Sequence, residues 1–253
     1  MFQPADISNY EKEIDCKICN NQLYILSKTE RNAVELCSCR TQRKIQSMII
    51  KSGLIGDFKT KRFDNFITKD LYQKKPYDSA LDFLENIDNL NPINNKKSWF
   101  VMSGQYGSGK THICTAISGQ AILMGKSFYY LPFMAVLPRL ATDLKNFYID
   151  IKNKAERLLE EIKNVEVLYI DDFLKTRENL ALIWEIIDYR YINPKLITII
   201  STEKYYEEIK AIDGSLASRI YERTQKDLYF NEIAKIAGRN FREFGETKLW
   251  KKN

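Results

Sequence analysis

Two groups of residues in this 253-residue chain have types and spacing that could do chemistry. The first is Gly104-Gln105-Tyr106-Gly107-Ser108-Gly109-Lys110-Thr111, which fits the pattern G-x-x-x-x-G-K-[ST]. Glycines so spaced let main-chain N–H groups turn inward and approach phosphate oxygens closely. A helix that starts at the lysine aims its positive end at the same oxygens. In that reading Lys110 neutralises the β- and γ-phosphates of ATP, and the Thr111 hydroxyl ligates Mg2+. The acidic partner of such a site stands at the end of an apolar run, where Asp171 directly follows Val165 to Ile170. It is placed to hold the Mg2+, directly or through water. Asp172 is placed to orient or deprotonate the attacking water; the competing reading makes it a helix cap or a solvated acid. An Asp here, shorter than Glu, suits slow hydrolysis and a switch more than a motor.

The second group is Cys16-x2-Cys19 and Cys37-x-Cys39. Two close pairs on separate turns bring four thiolates into a tetrahedral zinc site, and Tyr24–Leu26 with Ala33–Leu36 forms a short hairpin between them. Zinc would let a module of this size fold although its own core is small. A redox pair and unrelated buried cysteines remain open alternatives. Cys114 and His112, both in the helix after the phosphate loop, read as packing residues.

These side chains need a scaffold, and 44% hydrophobic residues are enough to build one without disulfides. From about Pro76 onward, helical and strand patterns alternate as in an α/β fold with a parallel sheet. Strands are expected at 98–103, 127–131, 165–170 and 196–201. Helices are expected at 79–90, 110–125, 133–144, 149–162 and 180–191. The chain divides into a zinc-binding, partner-binding module (1–53), a connecting segment (54–75) and an ATPase domain (76–253). In the connecting segment Phe58, Phe63 and Phe66 lie among Lys59, Lys61 and Arg62. They either stack on nucleic-acid bases or pack into the core. A net charge of +6 permits nucleic-acid contact without selecting it. No apolar run approaches the roughly 20 residues that span a bilayer, and Met1–Asp15 has no signal-peptide character. A cytoplasmic protein with reduced cysteines is expected.

GQYGSGKTHICTAI, VLYIDDF, Asp188-Tyr189-Arg190-Tyr191, Ser201-Thr202, LASRIYER and GRNFR together resemble the DnaC/DnaI helicase loaders and IstB transposition helpers, a branch of the AAA+ ATPases. The phosphate loop alone indicates only a nucleotide-binding fold; the full set, in the family's order over residues 76–242, is more specific. The resemblance implies that Ser201 or Thr202 senses the γ-phosphate. It implies that Arg219 reaches the nucleotide of a neighbouring subunit, where a guanidinium offsets charge on the transferring phosphoryl group. It also implies that Arg242 is a second sensor, with Arg239 close enough to leave that choice open. A surface salt bridge is the competing reading for each arginine. The partners implied are a replicative DNA helicase gripped by the N-terminal module, further copies of the chain in an ATP-dependent ring or spiral, and single-stranded DNA in its channel. The stretch from Lys145 to Lys163 is a candidate to face that channel. An IstB-like transposition helper, or an ATP-binding adaptor with little hydrolysis, is the alternative.

Overall fold

The computed structural model describes residues 4, 7, 14–27, 33–68, 71–87, 98–224 and 230–233. The N-terminal hairpin pairs β1 (Tyr24–Leu26) with β2 (Val34–Leu36) in antiparallel register. Three helices follow: α1 (Cys39–Lys51), α2 (Ile55–Thr60) and α3 (Leu71–Asn86). The expected start of α3 at residue 79 is too late. Pro76, which reads as punctuation, lies inside the helix at the cost of one main-chain hydrogen bond.

The remainder alternates strand and helix: β3 (Trp99–Gly104), α4 (Lys110–Leu123), β4 (Phe128–Pro132), α5 (Phe133–Asp143), α6 (Ile149–Asn164) and β5 (Val167–Asp171). Then come α7 (Leu180–Ile192), β6 (Ile197–Thr202), α8 (Tyr206–Ile212), α9 (Gly214–Thr224) and β7 (Phe230–Ile233). The sheet order is β4-β5-β6-β3-β7, parallel throughout. The four expected strands lie within two residues of these bounds, while β7 has no counterpart among them. Its four residues carry too little pattern to stand out before they pair with β3.

Both faces of the sheet are covered, as an all-parallel sheet requires. Side chains alternate along each strand, so Phe100, Met102, Val167, Tyr169, Ile197 and Ile199 face one core. Trp99, Val101, Leu168, Ile170 and Ile200 face the other. The first core is shared with α4 and also takes Ile45 and Ile49 of α1, Leu54, and Phe58 and Phe63. The connecting segment therefore packs as core, and Phe58 and Phe63 are buried away from any base-stacking role.

Arg190 is fully buried. Its guanidinium donates to the carbonyls of Ile162, Lys163, Val165, Glu166 and Ile197 and to the Thr198 hydroxyl. No carboxylate is among these partners, and burial pulls its pKa down to about 9. The side chain ties the end of α6 to the starts of β5 and β6. It gives the Ile162, Lys163 and Val165 carbonyls a charged donor, while the Glu166 carbonyl also accepts the Ile197 N–H at 2.8 Å. Among the described residues, no helix is long and apolar enough to cross a membrane.

Candidate nucleotide site and metal centre

Strand β3 ends in Gly104 and α4 begins at Lys110, so the glycine-rich segment is the loop at the carboxyl end of an interior strand of the sheet, between β6 and β7. Gly109, the N-cap of α4, has φ +90°, and a Cβ there would lie 3.0 Å from the Phe66 ring. A Cβ on Gly104 would meet the Ile233 carbonyl oxygen at 2.8 Å. Glycine at these two points lets the loop pack closely against β7 and Phe66, which a side chain would prevent. Lys110 is buried, and its Nζ donates to the Gln105 carbonyl at 2.8 Å, which curls the loop around the ammonium group. The Ser108 hydroxyl is buried with no hydrogen-bond partner among the described residues. An orphaned donor beside a buried lysine and a helix N-terminus fits a phosphate group. Tyr106, at the crown of the loop, is exposed.

Asp171 terminates β5, beside the loop. Its Oδ1 accepts from Tyr169 Oη at 2.9 Å, from Ser201 Oγ, and from Thr111 Oγ1 at 3.5 Å; its Oδ2 accepts from Tyr130 Oη at 2.9 Å. Thr111 and Asp171, the two residues expected to hold Mg2+, thus lie side by side. Ser201 belongs to this cluster because it shares the α4 face of β6 with Ile197 and Ile199. Thr202 points the other way: its hydroxyl donates to the Phe173 carbonyl at 2.7 Å and accepts from the Lys204 N–H at 3.0 Å. Of the two sensor candidates, only Ser201 touches the acid.

Asp172 sits at φ +54°, in the left-handed region, which Asp tolerates better than most residues. Its N–H donates to Ser201 Oγ at 3.3 Å, and its own side chain makes no hydrogen bond or ion pair among the described residues. The strained turn thus presents an uncommitted carboxylate one residue beyond Asp171.

Arg219 on α9 is held within its own chain. Its Nε donates to Asp188 Oδ1 at 2.8 Å, and the guanidinium carbon lies 4.9 Å and 5.4 Å from the Trp184 and Tyr191 ring centres. The salt bridge expected as a competing reading therefore exists, and it leaves the side chain 27% exposed, fixed in direction with part of its tip in solvent. Arg239 and Arg242 lie outside the described residues. His112 is a packing residue, with its ring edge-on to Phe66 and Nε2 2.8 Å from the Arg62 carbonyl. Burial pulls its pKa down. Cys114 is core. Tyr130 and Tyr169 escape sequence reasoning because tyrosine in a strand reads as ordinary β-propensity.

The second site is the cysteine cluster. The sulfurs of Cys16, Cys19, Cys37 and Cys39 lie within 4.8 Å of one another, with Cys16–Cys37 at 3.7 Å and Cys19–Cys39 at 3.5 Å. A tetrahedral zinc with bonds of about 2.3 Å sets sulfurs roughly 3.8 Å apart, whereas a disulfide needs about 2.05 Å. The residues fit zinc. The tight Cys37-x-Cys39 spacing works because Cys37 follows β2 while Cys39 opens α1. Asn20 and Asn21, both at positive φ, turn the chain after Cys19, and Asn21 Oδ1 accepts the Cys16 N–H at 3.0 Å. Arg43 of α1 ties this turn to the helix, donating at 2.6 Å to both Asn21 Oδ1 and the Ile14 carbonyl. The Cys19 N–H brings the Cys16 thiol down to about 6, while burial pushes Cys39 up to about 12. Ionising all four thiols together requires a cation among them.

The sheet, the phosphate loop and the strand-end acid define a AAA+ P-loop nucleotide-binding protein. Residues 30–244 match the family described as IstB-like ATP binding protein, and the chain belongs to that family. Among curated relatives it is similar to the phage-like element PBSX protein XkdC of Bacillus subtilis (strain 168), 29% identical over 86% of this chain and 81% of the relative. It is similar to the replicative helicase loader DnaC of Escherichia coli (strain K12), 25% identical over 71% and 69%. A solved structure of the DnaC helicase loader, 26% identical, superimposes with a TM-score of 0.50 over 69% of this chain and 97% of that one.

Proposed function

We propose that this chain is an ATP-dependent DNA replication factor that binds a replicative helicase and places it on single-stranded DNA. In this reading residues 1–53 form the client-binding module, anchored to the ATPase core through Ile45 and Ile49 of α1. Residues 54–75 connect it to the ATPase domain, 76–253. The observation that carries client binding is the outer face of the cysteine hairpin. Tyr24, Leu26, Val34 and Leu36 lie on one face of the two strands, all exposed, with Ile18 exposed in the adjoining turn. Exposed large apolar side chains clustered on a metal-braced hairpin suit a protein partner. Similarity to DnaC supports the helicase as that partner.

Lys110 and the loop amides bind the triphosphate, with Thr111 and Asp171 holding Mg2+, which supplies charge neutralisation on the β- and γ-phosphates when bound. Asp172 orients the attacking water, and Ser201 fixes Asp171 and the turn beyond it. Arg219, stacked and directed by Asp188, reaches the nucleotide of an adjacent copy, so hydrolysis is slow until copies assemble. Exposed Phe147 and Tyr148, with Lys145 and Lys152 nearby in sequence, form a stacking and phosphate-contacting surface for single-stranded DNA.

Size-exclusion chromatography with multi-angle scattering tests this reading, using the chain and the replicative helicase of its host, with and without ATP. A nucleotide-sensitive complex is expected. No complex in any nucleotide state would favour the second reading, a transposition helper acting on DNA, which the match to the IstB-like family supports.

A further inference from the structure

We propose that Tyr130 is a positioning residue for the magnesium-holding carboxylate of Asp171, an inference that rests on the nucleotide-site reading above. Tyr130 lies on β4, an edge strand of the described sheet, in a segment with no site motif. In the β4–β5 register it stands opposite Tyr169, and its side chain falls on the α4 face, the face to which Asp171 also turns.

The donors around Asp171 are distributed unevenly. Oδ1 receives the Tyr169, Ser201 and Thr111 hydroxyls, whereas among the described residues Oδ2 receives Tyr130 alone. The terminal torsion of a carboxylate is broad and soft. Donors on one oxygen alone leave the other free to swing, and a donor on each side fixes the plane. Loss of the Tyr169 hydroxyl leaves Oδ1 with further donors; loss of the Tyr130 hydroxyl leaves Oδ2 with none. Oδ2 is thereby kept in one direction, and the lone pairs not taken by hydroxyls stay aimed at the cation or its water shell. Groups that orient a metal-holding side chain in this way commonly set metal affinity by about 10- to 100-fold.

Tyr130 is built for the task. Its ring is half-buried and packs at 5.3 Å, centre to centre, against the Tyr169 ring. Tyr129, one residue earlier, turns to the opposite core and does not touch Asp171.

The test is the affinity of the full-length protein for ATP, measured by calorimetry with Mg2+ and again in excess EDTA. Tyr130→Phe removes one oxygen and is expected to weaken Mg-ATP binding about tenfold. Metal-free ATP binding, thermal midpoint and zinc content should stay as in the parent, and Tyr129→Phe should change none of these. Tyr169→Phe should have the smaller effect on Mg-ATP. An Asp171→Ala arm separates the two levels of the argument. If Asp171→Ala leaves the magnesium dependence intact, the site reading itself fails. If Asp171→Ala abolishes it and Tyr130→Phe does nothing, the site stands and the positioning role is overturned. In the Asp171→Ala background Tyr130→Phe should add no further loss. An equal drop there, or equal losses with and without Mg2+, would mark Tyr130 as structural only.

Discussion

In the sheet, β3, β5 and β6 are apolar on both faces and buried on both faces. In the N-terminal hairpin the arrangement is reversed. The buried side chains of that unit are Cys16, Cys19, Cys37 and Cys39, with Ile14, Leu23 and Ile25 packed partly buried against them, while Ile18, Tyr24, Leu26, Val34 and Leu36 point to solvent. A core of thiols has little hydrophobic driving force of its own, but four convergent sulfurs gain stability from a metal. Metal ligation would thus release apolar side chains from core duty and, in the proposed function, leave them for a partner. The ATPase core uses its apolar residues to hold a polar site still. One region spends little of its apolar surface on folding; the other spends nearly all of it.

The largest effect should come from removing the metal. Chelation, or Cys16→Ser, removes a contribution on the order of 10 kcal/mol to folding of the hairpin unit. Amide exchange should then become fast across residues 14–38 and client binding should vanish, while Mg-ATP binding changes less than twofold. Loss of nucleotide binding on chelation would break the comparison, because the two regions would then share their stability.

Arg190→Met tests the opposite region, where a polar group sits inside apolar packing. It removes the guanidinium from five carbonyls, of which that of Glu166 keeps the Ile197 N–H, and a loss on the order of 5 kcal/mol of stability is expected in chemical denaturation. An unchanged midpoint would show that the carbonyls find other donors.

Arg219→Ala should lower turnover of the assembled protein roughly a thousandfold, about 4 kcal/mol, with little change in single-copy ATP affinity. Equal loss in dilute and assembled protein would remove the trans role. The smallest effect is expected from Leu26→Glu. A charge on the exposed face should weaken client binding about 30-fold, or roughly 2 kcal/mol, with thermal midpoint and ATP affinity unchanged. Full client affinity in this variant would move the docking surface elsewhere.

The legible parts of the molecule are those in which neighbours in sequence are also neighbours in the site. The glycine loop, its strand and its helix are contiguous, and so are the two cysteine pairs and the hairpin between them. The hidden parts join distant positions. Tyr130 meets Asp171 only because β4 pairs with β5. Asp188 meets Arg219 only where α7 packs on α9. Arg190 enters the sequence reading only as part of Asp188-Tyr189-Arg190-Tyr191, and its full burial among carbonyls at the end of α6 and the entrances to β5 and β6 appears only in the fold. The choice between Ser201 and Thr202 depends on which face of β6 looks toward α4, which strand periodicity implies only once the sheet order is known.

Everything proposed for the ATPase core depends on a triphosphate seated against Lys110. Titration of the intact protein with Mg-ATP in a calorimeter measures this directly. Saturable heat with one site per chain is expected from the parent, lost on Lys110→Ala while the thermal midpoint is kept. No heat from the folded parent, or the same heat from Lys110→Ala, would contradict it.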